Sequence, residues 1–548
     1  MSKKIVFILL FGIVILACIL RFWQLGKVPI SPDWDEVALG YNAYSILQTG
    51  HDEYGKFLPV VLRSFDDYKP ALYTYLIIPV IPIFGLSVYA VRFPSALFGV
   101  LGVLITFFLI KELFKNNKYS DYLALCCSLL LAISPWDIQF SRVGFEAHVG
   151  VIFNLLVILI FIKSFKKPWL LLLAAFFASL NIYVYQSEKA FTPLLLLVLF
   201  LVYLKDFIKI PKKYIFSSII LGLVIVIPML SYIVSNREAL LRIQGTSVFS
   251  DQTQVLQNSI PRLEADKASG DTIGLILDNR RIVYARTIIA GYLSHFDLNW
   301  LFVQGDLARH HAPNMGLLYF FEFPFLFLGI YFLIFGEFDK KTKLIIFAWF
   351  LITPIPASIT SGVPHAVRTM NFLPTWQIFI SVGIISSFIF LKKYKNVGKL
   401  MYALIIIFAA FNFIYYLNQY FVQQNYFTAK DWQYGWEETV SYVSKIAPNY
   451  KKIIVTDTQP LDRSYMFFAF YLKFPPKEYQ KNGSHESGGF TEAHSFGNYD
   501  FRPLDWTKDS QNSNVLFVGL PSEFPSSIKP LKMIYYPDGT PDIEIVSK

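Results

Sequence analysis

Apolar runs alternate with short clusters of Lys and Arg along most of this 548-residue chain. A helix needs about 20 apolar residues to cross the hydrocarbon layer of a membrane, and tilt or local thinning accommodates shorter runs. Runs near that length lie at residues 4–22, 88–112, 119–135, 147–164, 168–185, 187–204, 213–234, 316–335, 342–360, 370–391 and 398–417. The sequence therefore predicts an α-helical polytopic membrane protein with about eleven transmembrane helices.

The basic clusters predict the orientation of these helices. The first cluster is Lys3 and Lys4, and the others lie at residues 111–118, 163–167, 205–213, 340–343 and 392–399. When the chain crosses at every run, all the clusters fall on one side, which the positive-inside rule assigns to the cytoplasm. We therefore predict a multi-pass protein of the cell membrane with a cytoplasmic N-terminus. The outer segments are then residues 23–87, 136–146, 235–315, 361–369 and the chain after 418.

An additional apolar run at residues 71–85 contains Pro79 and Pro82. If it crossed the membrane, every later basic cluster would change side. We therefore interpret this run as a helix that lies at the outer interface, where its prolines and Gly85 limit its length.

The composition agrees with a membrane protein, since 54% of the residues are hydrophobic and the mean hydropathy is +0.45. The net charge of +10 does not indicate nucleic-acid binding, because most basic residues face anionic lipid heads in the predicted cytoplasmic loops. The first run meets Arg21 without a small-residue cleavage site, so we expect a retained anchor. All three cysteines lie in apolar runs, and no disulfide framework is expected.

Charged and hydrogen-bonding residues collect at the outer ends of the runs. Asp33, Asp35 and Glu36 place three carboxylates within four residues where the chain leaves the first run. Such a cluster can supply a general base or ligands for a hard cation. The alternative is that Asp33 or Asp35 caps a helix over residues 37–47. This pattern predicts a site at the outer membrane surface.

Further candidate site residues follow in the other outer segments. Lys69 and Arg92 can bind a lipid phosphate, or they can extend to ordinary headgroups. The remaining candidates are Arg142, Glu146, His148, Arg309, His310, His311, His365 and Arg368. Adjacent histidines such as His310 and His311 are more typical of polar loops than of metal ligands. Glu146 and His148 are two residues apart, and residues at that spacing on a helix do not face each other. A divalent metal is compatible with these residues but is not implied by them.

Three motifs that define other membrane enzymes and pumps are absent from the sequence. The chain has no P-loop glycine motif, no HExxH and no GxSxG. ATP-driven transport and zinc or serine hydrolysis therefore lose their usual sequence support.

The chain resembles the family 39 glycosyltransferases of the GT-C superfamily, which include protein O-mannosyltransferases and lipid A aminoarabinose transferases. The resemblance rests on the Asp35-Glu36 pair, on Lys69-Pro70, and on the run from Arg92 to Gly99. It covers residues 1 to about 200 by these motifs and the later spans by architecture.

The resemblance implies a membrane glycosyltransferase with a polyprenyl-phosphate sugar as donor and a protein, lipid or glycan as acceptor. It implies that Asp35 is the base for an acceptor hydroxyl in an inverting displacement, with Glu36 orienting nearby groups. Lys69 and Arg92, with Arg142 or Arg309, are expected to bind the donor phosphate.

Two departures from the family pattern limit what is implied. Aminoarabinose transferases carry a metal-binding glutamate before the lysine, whereas this chain has Tyr68. Eukaryotic protein mannosyltransferases insert a MIR domain in an outer loop, and the 235–315 loop is too short for one. Neither bound zinc nor protein O-mannosylation follows from the resemblance.

The long outer loop and the tail complete the predicted organisation. In the loop, residues 252–258 and 266–272 are expected to be exposed, and the loop is either a lid that excludes water or a plain connector. After residue 418 we predict a small extracytoplasmic α/β domain with strands at 452–456 and 515–519 and a helix at 463–473. The glycine and serine stretch 482–489 is expected to be a loop.

Two other functions compete with glycosyl transfer. A polytopic lipid or glycan transporter moves its substrate without bond chemistry, and it requires ionisable residues inside the bundle. A catalytically inactive scaffold would use the tail domain to recruit partners.

Overall fold

A computed structural model describes residues 1–65, 67–236, 245–250, 255–482, 484–485, 494–511 and 513–548. Within these residues, five helices are long and apolar enough to cross a membrane, or six if one bent pair counts as a single span. They are Lys3–Phe22, Val88–Leu113, Ala147–Ser164, Lys212–Ser235, the stretch Met370–Phe427, and the bent pair Ser120–Ile133 with Pro135–Ser141. The helical class is confirmed, whereas the count of about eleven spans and their orientation stay predictions.

Every predicted apolar run nonetheless coincides with a helix. The predicted run 147–164 is the helix Ala147–Ser164, because a run in lipid must satisfy its backbone hydrogen bonds internally. Several of the other runs form shorter helices. The last two predicted runs, 370–391 and 398–417, form separate helices within the stretch Met370–Phe427. These helices are Leu170–Asn181, Glu188–Val202, Glu322–Phe335, Lys340–Ile352, Ile355–Ser358, Thr375–Leu391 and Lys395–Asn418.

The run at 71–85 forms two short helices, Leu72–Ile77 and Ile81–Phe84, on either side of Pro79. Proline lacks the N–H that a continuous helix needs, which explains the break in the single helix that we predicted. The long loop is also helical, with Ser259–Ser269, Thr272–Leu277, Arg280–Ser294 and a π-helical turn at Trp300–Gln304. Residues 252–254 of the predicted exposed stretch, and most of 482–489, lie outside the described residues.

Internal contacts divide the chain into two units. The first, here the helical unit, comprises residues 1–20, 99–138 and 146–414, and the second, here the mixed unit, comprises residues 21–98, 139–145 and 415–548. The first outer segment thus groups with the tail, and the predicted domain boundary at residue 418 stays a prediction.

Two glycines let neighbouring helices of the helical unit approach closely. A Cβ on Gly329 would lie 1.7 Å from the carbonyl oxygen of Phe379, and a Cβ on Gly383 would lie 2.0 Å from that of Phe325. Both glycines are buried, one in Glu322–Phe335 and the other in Thr375–Leu391. Small residues at such crossings allow the backbone contact on which helix association in lipid depends.

Gly383→Ala is therefore expected to lower the free energy of unfolding by about 1–3 kcal/mol, because the added methyl group forces two backbones apart. The measurement is the thermal unfolding midpoint of the purified protein in detergent. Gly12→Ala is the matched control, since a Cβ there has no atom within 4 Å. Equal midpoints for the two variants would contradict this role for Gly383.

A buried carboxylate joins several segments of the helical unit. Glu188 is 1% exposed, and its Oε2 accepts hydrogen bonds from Asn154 at 2.7 Å and Asn181 at 3.1 Å. Its Oε1 accepts from Asn371 at 2.6 Å. Amide donors thus satisfy both oxygens, as a polar group in an apolar bundle requires.

The mixed unit contains a seven-stranded sheet and a separate hairpin. The hairpin pairs β1 (Val61–Ser64) with β2 (Asp67–Pro70). The strands of the sheet are β3 (Lys452–Val455), β4 (Ser484–His485), β5 (His494–Phe496), β6 (Tyr499–Phe501), β7 (Val515–Gly519), β8 (Lys532–Tyr535) and β9 (Pro541–Ser547). Their order in the sheet is β4-β5-β6-β3-β7-β9-β8, with β3 parallel to both neighbours. The predicted tail strands and the helix, observed as Ser464–Tyr471, are confirmed.

Short helices complete the mixed unit. They are Trp34–Thr49, Gln424–Phe427, Trp436–Ile446, Pro476–Asn482 and Trp506–Asp509. The first of them packs against Ser464–Tyr471 and Pro476–Asn482, so the helix that begins with the acidic motif rests on two helices of the tail.

Candidate functional site

The acidic motif begins the helix Trp34–Thr49 of the mixed unit. The Asp33 carboxylate accepts a hydrogen bond from the backbone N–H of Glu36 at 2.9 Å, and Glu36 accepts one from the backbone N–H of Asp33 at 3.3 Å. This reciprocal arrangement is a capping box, which satisfies donors that have no partner within the helix. Asp33 therefore has the capping role that was the alternative to a chemical one.

Glu36 forms a buried ion pair with Arg92. Nε of Arg92 lies 2.8 Å from Oε1 of Glu36, and Nη2 lies 2.9 Å from Oε2. The two side chains are 1% and 0% exposed, and the backbone N–H of Gly144 donates a further hydrogen bond to Oε1. A buried ion pair is stable only when its remaining donors and acceptors are also satisfied.

The remaining N–H groups of Arg92 are also bonded. Nη1 donates to the carbonyl oxygens of Leu25 and Pro29, and Nη2 donates to that of Ser31. With the two bonds to Glu36, all five donors of the guanidinium have partners. In this conformation Arg92 positions Glu36 and the chain between residues 25 and 31.

Asp35 occupies the first turn of the same helix, where the helix dipole favours negative charge. Its Oδ1 pairs with Nζ of Lys69. Lys69 stands opposite Leu62 in the hairpin, and its side chain is 6% exposed, whereas that of Asp35 is 28% exposed. The pair therefore combines a held lysine with a carboxylate that solvent or substrate can reach.

Arg142 lies elsewhere in the mixed unit. Its guanidinium is fully buried and donates to the carbonyl oxygens of Arg21, Trp23 and Val28 at 2.7–3.0 Å. It also lies over the rings of Tyr420 and Phe421. These contacts are those of a residue that fixes the chain between residues 21 and 28.

One residue beside the acidic motif was missed in the sequence. The guanidinium of Arg463 lies 4.4 Å from the ring centroid of Trp34 and 5.5 Å from that of Phe65. Arg463 precedes the helix Ser464–Tyr471 with a φ of 65°. Burial raises the pKa of the nearby Asp457 carboxyl to about 6, and this carboxyl accepts a hydrogen bond from the backbone N–H of Ser464.

The buried ion pair gives the first prediction for the site. Glu36→Gln leaves the Arg92 guanidinium buried without a counter-charge and should lower the free energy of unfolding by about 3–5 kcal/mol. Thermal unfolding of the purified protein measures this. The control is Glu438→Gln, which breaks the exposed Lys532–Glu438 pair of the same unit and should cost at most about 1 kcal/mol. Similar losses in the two variants would contradict the role of Glu36.

The other candidate residues belong to the helical unit. Nε2 of His148 lies 3.2 Å from Oδ1 of Asp137, and both side chains are buried. Glu146 is buried at the start of the helix Ala147–Ser164. We did not predict that Glu146 and His148 share a metal. In the structure, the carboxylate that pairs with His148 is that of Asp137.

His310 and His365 lie together with Asp306. Nδ1 of His310 is 3.0 Å from Oδ2 of Asp306, and the two imidazole rings have centroids 5.1 Å apart. Burial lowers the pKa of both histidines. Burial alone would raise the pKa of the Asp306 carboxyl. The hydrogen bond and the charge of His310 outweigh burial and lower the pKa of Asp306 to about 2. His311 does not join this group, and its Nδ1 lies 2.7 Å from the carbonyl oxygen of Ala312.

Arg368 lines a cavity of about 250 Å³ in the helical unit. Lys189 and Gln186 line the same cavity, and Nη1 of Arg368 donates to Thr360 and Ser361. A second cavity of about 1000 Å³ lies among the helices of the long loop and is lined by Arg262 and Arg286. Arg309 directly precedes His310, and its predicted phosphate-binding role stays a prediction.

Comparison with known proteins supports one architecture. The family model of the dolichyl-phosphate-mannose-protein mannosyltransferases matches residues 68–232. The structure of ArnT from Cupriavidus metallidurans in the apo state is similar, with a TM-score of 0.54 and 14% identity over 98% of this chain and 97% of that one. The undecaprenyl phosphate complex of ArnT gives a TM-score of 0.53 and 13% identity, over 100% and 98% of the two chains. The chain has the GT-C fold.

A second GT-C structure is that of the oligosaccharyltransferase AglB from Archaeoglobus fulgidus, in complex with an inhibitory peptide and a dolichol-phosphate. It has a TM-score of 0.51 and 12% identity over 86% of this chain. The chain spans 64% of the length of that enzyme. No curated protein sequence matches the chain significantly. The expected resemblance to GT-C glycosyltransferases is confirmed, and at these identities the structural likeness concerns the fold.

Proposed function

We propose that the chain is a membrane glycosyltransferase that moves a sugar from a polyprenyl-phosphate donor to a hydroxyl acceptor at the outer membrane surface. The observation that carries this proposal is the pairing of Asp35 with Lys69 beside the buried Glu36–Arg92 pair. Support also comes from the matched mannosyltransferase model and from the two GT-C structures that hold a polyprenyl phosphate.

In the proposed reaction, the acceptor oxygen attacks the anomeric carbon while the bond from that carbon to the phosphate oxygen breaks. The acceptor proton passes to the carboxylate of Asp35, and the electron pair of the broken bond stays on the phosphate. Lys69 stabilises this growing negative charge, and the low dielectric near the lipid strengthens the attraction. A single displacement of this kind inverts the anomeric configuration.

The geometry distinguishes Asp35 from the other charged residues of the motif. Glu36 and Arg92 are held by each other and by backbone groups, whereas Asp35 keeps an exposed edge. We therefore assign proton transfer to Asp35, phosphate binding to Lys69, and positioning to Glu36, Arg92 and Arg142. This revises the phosphate-binding roles that were expected for Arg92 and Arg142.

Asp35→Asn is expected to lower the transfer rate by at least about 100-fold, the usual effect of losing a general base, without changing the melting temperature. The assay offers purified protein in liposomes a panel of radiolabelled undecaprenyl- and dolichyl-phosphate sugars and measures release of polyprenyl phosphate. Asp505→Asn is the control, because Asp505 likewise lies at the start of a helix and pairs with a lysine, Lys508, but its side chain is 47% exposed. Transfer that persists in Asp35→Asn would exclude Asp35 as the base.

The same assay separates the competing functions. A transporter should move the labelled lipid or glycan across the membrane without breaking its bond, and a scaffold should do neither. In the described helical unit, amide hydrogen bonds satisfy both oxygens of the buried Glu188, which favours a structural role for this carboxylate over a place in a transport pathway.

Lys69→Ala should raise the KM for the donor about tenfold or more while changing the KM for the acceptor little, because the lost charge-assisted hydrogen bond is made to the phosphate. Steady-state kinetics with each substrate varied in turn measures this split. Lys532→Ala, at an exposed lysine of the same unit, should leave both constants unchanged. An equal rise in both constants for Lys69→Ala would place the lysine outside the donor site.

A further inference from the structure

Three potential metal ligands converge in the helical unit, away from the acidic motif in the sequence. Asp306 and His310 follow the π-helical turn Trp300–Gln304, and His365 lies in the turn before residue 370. One ligand atom from each of the three lies within 4.8 Å of the others. A zinc ion with bonds of about 2.0 Å to nitrogen and oxygen fits among such atoms after small side-chain adjustments.

The chain around these side chains is held in place by hydrogen bonds. The backbone N–H of Ala366 donates to Oδ2 of Asp306 at 2.6 Å, which ties the two loops together. The backbone N–H of His365 donates to Nε2 of His295 at 3.3 Å. Metal ligands are commonly oriented by such outer contacts.

One buried atom in the cluster lacks a partner. Nδ1 of His365 is buried and has no hydrogen bond within the part of the chain that the structure describes. A buried imidazole nitrogen without a partner is costly, and a bound cation at the centre of the cluster would satisfy it. The His310 side chain is 5% exposed and that of Asp306 is 6% exposed, so solvent cannot readily serve the same purpose.

We propose that Asp306, His310 and His365 bind a single Zn²⁺ ion. The set of two imidazoles and one carboxylate is a donor combination that zinc accepts, whereas Mg²⁺ and Ca²⁺ prefer oxygen ligands alone. Three protein ligands leave a fourth position for water.

The proposed ion crosslinks two outer loops that are far apart in sequence. His365 stands three residues before Arg368, which lines the cavity shared with Lys189 and Gln186. Zinc on His365 would thereby fix the turn that presents this arginine. The proposal concerns metal binding and does not depend on the glycosyl transfer proposed above.

The test measures zinc directly on the purified full-length protein, after removal of any histidine tag. Protein in lipid nanodiscs is treated with a chelator, loaded with ZnCl2, desalted, and analysed for zinc by mass spectrometry. We expect one zinc per chain. His365→Ala and Asp306→Asn should each weaken zinc binding by at least about 100-fold, since even outer contacts of a metal site are commonly worth 10- to 100-fold.

His311→Ala is the matched control, because His311 neighbours His310 but bonds to the carbonyl oxygen of Ala312. It should retain one zinc per chain. A second measurement covers variants that fail to fold: Co²⁺ bound to the parent protein should give visible absorption bands, and ZnCl2 should abolish them. Absence of zinc and of Co²⁺ bands in the parent protein overturns the proposal, as does full zinc retention when all three ligands are replaced.

Discussion

The buried pair of Glu36 and Arg92 is the interaction on which the geometry of the acidic motif depends. Removing two charges from water costs several kcal/mol for each ion, and only close pairing with further hydrogen bonds offsets that cost. Here the arginine engages all five donors, and the glutamate accepts from the arginine and from two backbone N–H groups. The pair thereby fixes three separate stretches of chain around the start of one helix.

The position of Asp35 follows from that of Glu36. Successive side chains on a helix differ in direction by about 100°. Because Glu36 points into the mixed unit, Asp35 points along the side of the helix and is partly exposed. The hairpin of β1 and β2 places Lys69 there, and the two side chains pair. A partly exposed carboxylate with a fixed direction is what a general base requires, because proton transfer depends on geometry before it depends on acidity.

The sequence predicted the helical elements well and the contacts of the charged residues less well. Apolar runs give reliable helices because lipid forces the backbone to bond within each run, and the observed Ala147–Ser164 helix has the predicted bounds. The hairpin was missed because its strands are four residues long and carry mixed polarity. The prediction of one interfacial helix is wrong at Pro79, because the missing N–H of proline separates the run into two short helices.

For the candidate site, the sequence motifs located the charged residues but did not show which of them interact with each other. The resemblance located Asp35, Glu36, Lys69 and Arg92, but no local pattern shows that Arg92 spends its donors on Glu36 and on backbone carbonyls. The same limit applies to the cluster of Asp306, His310 and His365. Asp306 and His365 lie close together in this cluster although 59 positions separate them in the sequence. Such pairings arise from tertiary packing, where a buried polar group must find a partner wherever the fold brings one. In this chain, the long-range partners rather than the motifs decide which charged residues remain open to a substrate.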